Sequence, residues 1–145
     1  MSTKELQEKL VEQMKTWQKI EDTSVASTSK VIDKANNPLI KLVMEIIKKD
    51  SQTHHKVQQF VVDSIEKEAV TLTPEDMGDV WGSIEEHIKI EKKMVGNVIE
   101  ALEALKGKKM VVQEYLLNYM KIDEAKHDEM LDALNKVKSG MYPYG

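Results

Sequence analysis

TPEDMGDVWGSIEEHIKIEKKMVGNVIEALEALKG, residues 73–107, decides the fold. Met77, Trp81, Ile84, His87, Glu91, Val95, Val98, Leu102 and Leu105 recur at three- and four-residue steps, the period of an α-helix with one stripe turned inward. Thr73-Pro74 reads as a cap with proline at the first helical position. Glu75 and Asp76 then put negative charge at the positive end of the helix dipole. Gly107, with lysines beside it, reads as the stop. Two members of the stripe, His87 and Glu91, are polar and need a reason to be there, because an unpartnered buried carboxylate costs a few kcal/mol or more.

The same punctuation divides the rest of the chain. Asn36-Asn37-Pro38 reads as a helix end followed by an Asn cap and a proline start. The expected helices run over 4–35, 38–69, 74–106 and 108–139, with Gly140 closing the last and 140–145 a tail, all in one domain over 1–145. The second helix carries Ile40, Val43, Ile47, His54, Val57, Val61 and Ile65 on its stripe. The fourth carries Leu117, Met120, Glu124, His127, Leu131 and Leu134. The first is weakest: Leu6, Leu10, Trp17, Glu21 and Val25 give way to Ser27-Thr28-Ser29, which is expected to kink or loosen it. Helices of about 32 residues on short loops predict an all-α, antiparallel four-helix bundle close to 50 Å long. The connection near 69–73 is too short to run back along such a bundle at about 3.5 Å per residue, so the expected topology is up-down-up-down.

Composition agrees with helices that have one wet face: 32% of the 145 residues are charged, with only three prolines and six glycines. The lack of cysteine excludes disulfides, thiolate metal sites and cysteine nucleophiles, and fits a cytoplasmic location. No apolar run approaches the roughly 20 residues of a membrane span, and no signal-peptide pattern stands at the N-terminus, so no membrane association is expected. A net charge of −4 argues against nucleic acid as a partner. All 21 basic residues are lysines, so the guanidinium fork that clamps phosphates is missing.

An internal repeat ties the helices into two hairpins. WQKIEDTSV at 17–25 aligns with HIKIEKKMV at 87–95, and IIKKDSQTH at 46–54 with YMKIDEAKH at 119–127. Glu21 and His54 flank Asn37 at 16 and 17 residues, and Glu91 and Glu124 flank Gly107 at 16 and 17. His87 and His127 each lie 20 residues from Gly107. In straight antiparallel hairpins Glu21, His54, His87, Glu91, Glu124 and His127 fall within about one turn, roughly 6 Å along the axis. Carboxylates with imidazoles inside a helix bundle suit iron, manganese or zinc. Glu124-x-x-His127 presents both groups on one face, and Asp50 and Asp123, each four residues before a histidine, are placed to orient that imidazole.

This layer resembles the metal site of the ferritin-like superfamily, in particular its rubrerythrin-like members, where each hairpin gives a Glu from its first helix and a Glu-x-x-His from its second. The resemblance implies one or two ions per chain, of iron or else manganese or zinc. Glu21, Glu91 and Glu124 would be carboxylate ligands, His54 and His127 terminal nitrogen ligands, and His87 an alternate. It further implies handling of dioxygen, peroxide or the metal itself; an enzyme of this kind would be an oxidoreductase. The second hairpin fits fully; the first has Ser51 where the second bridging Glu would stand, which makes a single-metal or asymmetric site an alternative. The short central connection is closer to the hemerythrin-like bundle, and His87-x-x-x-Glu91 is similar to its His-x-x-x-Glu element. The reading from another class is a metal-free helical module, oligomeric, whose polar layer fixes register. Gly78 and Gly82, around Trp81, would then mark close backbone approach in a homo-oligomer contact or a frayed turn. His55 falls off the stripe as a solvated histidine, Tyr115 and Tyr119 read as packing residues, and the nine methionines as core filler.

Overall fold

Three of the helices start on a side chain that takes up their free amide groups. At α1 (Thr3–Lys34) the Ser2 hydroxyl accepts from the Glu5 amide at 3.1 Å, and the Glu5 carboxylate accepts from the Ser2 amide at 3.1 Å. At α2 (Pro38–Glu66) Asn37 Oδ1 accepts from the amides of Leu39, 2.9 Å, and Ile40, 3.3 Å. At α3 (Pro74–Leu105) Thr73 and Asp76 repeat the reciprocal arrangement at 3.1 and 3.0 Å, and these hydrogen bonds hold the Asp76 carboxyl below its usual range. Since Asn37 serves two amides, Asn37→Ala is expected to lower stability by about 1 kcal/mol in urea denaturation.

The computed structural model describes residues 1–68, 70 and 73–141 and is all-α, with no strand among them. α4 (Val111–Met141) begins three residues later than the sequence suggests. Gly107, at φ 75°, makes the left-handed turn after α3, and Lys108 donates its amide back to the Leu105 carbonyl at 2.9 Å. Lys108 and Lys109 would place two positive charges at the positive end of a helix, so helix growth resumes beyond them. α2 stops at Glu66, three residues short of the expected 69, and α4 runs through Gly140 rather than ending at it. Of the expected tail, 142–145 lie outside the described residues. The run Ser27-Thr28-Ser29 does not break α1: Thr28 Oγ1 donates to the Ser24 carbonyl at 2.9 Å and Ser29 Oγ to the Val25 carbonyl at 2.7 Å. Each hydroxyl is satisfied by the turn before it.

The chain divides into two compact units, Met1–Val70 and Thr71–Gly145. In the first, α1 packs on α2. Cross-helix partners descend along α2 as they ascend along α1: Lys15 with Glu66, Gln18 with Gln59, Glu21 with His54, and Ser24 with Ser51. The pair is therefore an antiparallel hairpin. Its apolar core is small, Val11, Met14 and Val62 with Leu10, Val61 and Ile65 against them, at the end away from the turn. Nearer the turn the contact is polar: Gln18, Thr28, Ser51 and Gln58 are buried. The stripes expected to face inward are therefore partly misplaced. Trp17, Ile40, Ile47 and Val57 are exposed, because a two-helix contact covers only one line of each helix and the line it covers carries small and amide side chains.

In the second unit α3 packs on α4, and the connection over 106–110 is too short for anything but an antiparallel return. Here the stripes lie where the sequence put them. Met77, Trp81, Glu91 and Val98 of α3 are buried, and Leu117, Met120, Glu124, His127, Leu131 and Leu134 of α4 are half-buried. Trp81 Nε1 donates to Glu85 Oε1 at 2.7 Å. No close backbone approach accompanies the glycines: a Cβ added at Gly78, Gly82 or Gly96 meets nothing within 4 Å among the described residues. Gly82→Ala and Gly96→Ala are each expected to raise stability by roughly 0.5–1 kcal/mol, read as a higher urea midpoint with unchanged slope.

Candidate metal centre

α3 and α4 bring four of the six expected residues together. His87 Nε2 lies 2.9 Å from Glu91 Oε1, one turn along α3. From α4, His127 Nδ1 lies 3.5 Å from the same oxygen and 3.7 Å from Glu124 Oε2. The other ring nitrogen, Nε2, lies 3.5 Å from Asp123 Oδ2, and Asp123 Oδ1 meets Lys126 Nζ at 2.9 Å. Asp123 thus stands beside His127 as its spacing suggested; Asp50, its counterpart in the first hairpin, is exposed.

Glu91 is the residue that needs explaining. It is 7% exposed, yet its Oε2 has no hydrogen-bond partner. Its carboxyl is hydrogen-bonded with that of Glu124, and the two split in opposite directions. The bond from Glu124 holds Glu91 below the usual carboxylate range against the effect of burial, helped by His87 and His127. The same bond, then burial and the charge of Glu91, push Glu124 up. Two adjoining carboxylates cannot both ionise without cost, and a cation between them would offset that cost.

The chemistry of this set suits a divalent cation. One ligand atom from each of Glu91, Glu124 and His127 lies within 4.8 Å of the others. Two ligands on one ion at about 2.1 Å can be at most about 4.2 Å apart, so small side-chain rotations close the set. His87 and His127 border an open cleft of about 290 Å³, together with Glu91, Met130 and Leu131, so the set is reached from solvent. Its oxygen and imidazole donors match iron, manganese or zinc better than a soft metal.

The first hairpin brings the other two together but adds no third ligand. His54 Nδ1 lies 3.5 Å from Glu21 Oε1. Next to it, His55 is half-buried rather than solvated, with Nε2 3.5 Å from Asp22 Oδ1. Ser51, which stands where a bridging Glu would, is buried with its hydroxyl 2.8 Å from that of Ser24. That contact lies in the seam between α1 and α2. Among the described residues, Glu91, Glu124 and His127 form the one metal-sized group.

One residue escaped the sequence reading. Asp128, half-buried, has Oδ1 shielded from water and without a hydrogen-bond partner. Its signal was the four-residue step from Glu124, which puts both acids on one side of α4. Compared with protein-family models, curated proteins and solved structures, the chain finds no match. No helix among the described residues is long and apolar enough to cross a membrane.

Proposed function

We propose that the second hairpin holds a divalent metal ion, with Glu91, Glu124 and His127 as ligands and His87 as the alternate fourth. The observation that carries this is the buried Glu91 with its partnerless Oε2, set against a second carboxyl and an imidazole. A buried polar atom without a partner is rare in folded proteins, and a bound ion is one of the few things that accounts for it. Two glutamates neutralise a divalent charge, and His127, backed by Asp123, completes the set as a neutral donor.

On this reading the protein is a ferritin-like iron or manganese protein, and the open cleft serves access of dioxygen, peroxide or the metal itself. When bound, a redox-active ion would supply one-electron chemistry; the chain supplies ligands, a route from solvent and the Asp123 contact that orients His127. Glu21 and His54 are the diverged counterpart in the first hairpin. We further propose that the two hairpins pack into an up-down-up-down four-helix bundle. Support for this comes from the first hairpin's small core and from apolar residues such as Ile40, Ile47 and Val57 that its own contact leaves exposed.

A second reading has its own support. The first hairpin carries a polar interior, Gln18, Ser24, Thr28 and Ser51, and no metal-sized group among the described residues, so a polar layer in this chain does not by itself call for an ion. The Glu91–Glu124 pair would then fix helix register in a metal-free interaction module. Thermal melts of chelator-treated protein with Mn(II), Fe(II) under argon, or Zn(II) separate the two. The metal reading expects a rise in Tm that Glu124→Ala and His127→Ala abolish; the module reading expects none.

A further inference from the structure

We infer that the cleft beside the two glutamates is a site for monovalent copper, Cu(I), held by the imidazoles of His87 and His127 and the thioether of Met130. This goes beyond the divalent reading: the donor set is a different one, and it makes no use of Glu124.

Met130 is out of place as core filler. Met14 and Met77 are buried, whereas Met130 is 62% exposed. The other exposed methionines among the described residues, Met1 and Met110, stand outside the helices, and Met130 sits on a face of α4. There it lines the same cleft, of about 290 Å³, as His87, Glu91 and His127. Packing does not account for a long apolar side chain left wet beside two imidazoles. Its sulfur is a soft, polarisable donor.

The geometry lets the three donors meet. Met130 follows His127 by three residues, which makes the two neighbours on one helix face. His87 reaches the same place from α3: its Nε2 lies 2.9 Å, and His127 Nδ1 3.5 Å, from the one oxygen Glu91 Oε1. The other contacts of His127, 3.7 Å to Glu124 Oε2 and 3.5 Å to Asp123 Oδ2, are longer than good hydrogen bonds, so its ring is not locked. The His87 side chain is exposed, and methionine turns about three bonds, so both are free to swing toward His127. Imidazole suits copper, and the thioether sets Cu(I) apart from the harder iron and manganese ions. Glu91, between the two imidazoles, supplies a negative charge for a monovalent cation.

Titration of the full-length, chelator-treated protein with Cu(I) under argon, in competition with a chromogenic Cu(I) chelator, tests this. The wild type is expected to bind Cu(I), with affinity at least tenfold weaker in Met130→Leu and in His87→Ala. Glu124→Gln and His55→Ala should each change it less than threefold. Met130→Leu should keep the helical circular dichroism and the Mn(II) response of the wild type, and X-ray absorption at the copper edge should show a sulfur neighbour that Met130→Leu lacks. No Cu(I) bound by the wild type, or equal affinity in Met130→Leu, would overturn the copper site and leave the divalent reading to its own test. A wild type that binds Cu(I) through Met130 but takes up no Mn(II) would uphold the copper site and remove the divalent one.

Discussion

Glu91→Met is expected to raise the melting temperature of the metal-free protein and to abolish its response to added metal. Glu91 is buried, its Oε2 has no partner, and its carboxyl lies against that of Glu124. Replacing such a group by an apolar side chain of similar length removes an uncompensated polar burial and takes the charge of Glu91 away from Glu124. The residues left behind lose little, because the His87 side chain is 55% exposed and that of Glu124 23%, so water reaches both. The gain should be about 1–2 kcal/mol, a few degrees in Tm for a chain of this size. Glu91→Ala would not share it, since truncation leaves a cavity among Met77-to-Val98 stripe neighbours. A residue whose removal stabilises the fold is there for something other than the fold. If Glu91→Met melts lower than the wild type while its helical content is intact, the carboxylate is structural and the argument from its burial fails.

The second large effect is an asymmetry between the hairpins. At a free metal concentration 100-fold above the dissociation constant, a bound ion stabilises the native state by about 2.7 kcal/mol. Glu91→Gln, Glu124→Gln and His127→Ala should remove that stabilisation. Glu21→Gln and His54→Ala should keep most of it, because Glu21 and His54 stand 3.5 Å apart without a third ligand among the described residues. His87→Ala should fall between, weakening binding without abolishing it, since His87 touches Glu91 alone of the three ligands. Equal losses from both hairpins would mean that neither holds the ion by itself, contrary to the geometry of the second.

The sequence was most legible where period and chemistry coincided. The α3 stripe from Met77 to Leu105 is buried or half-buried at nearly every position, His87 being the exposed member, and Glu91 meets Glu124 as their separations of 16 and 17 residues from Gly107 require, with His127 one turn further on. Loop counting worked in the first hairpin as well, placing Glu21 against His54. What it missed there was rotation about the helix axis. Ile40, Ile47 and Val57 make a good apolar stripe, but it is Ser51 that meets α1, at Ser24, because serine hydroxyls let two backbones approach where branched chains hold them apart. Periodicity reports that a helix has an apolar face, not which neighbour that face meets. Ser51 read as a ligand lost from a motif; its 2.8 Å contact with Ser24 makes it a packing residue. Asp128 was overlooked for the opposite reason: a carboxylate beside a histidine in a Lys- and Glu-rich helix looks like a wet residue until its oxygen is found shielded.

The central claim, that Glu91, Glu124 and His127 hold a divalent ion, is tested most directly by calorimetric titration of the chelator-treated, full-length protein with Mn(II), beside Glu91→Gln under the same conditions. The account predicts saturable binding with at least one equivalent per chain and micromolar or tighter affinity, abolished in Glu91→Gln. Heats of dilution alone in the wild type, or a Glu91→Gln isotherm that overlays it, would contradict the account.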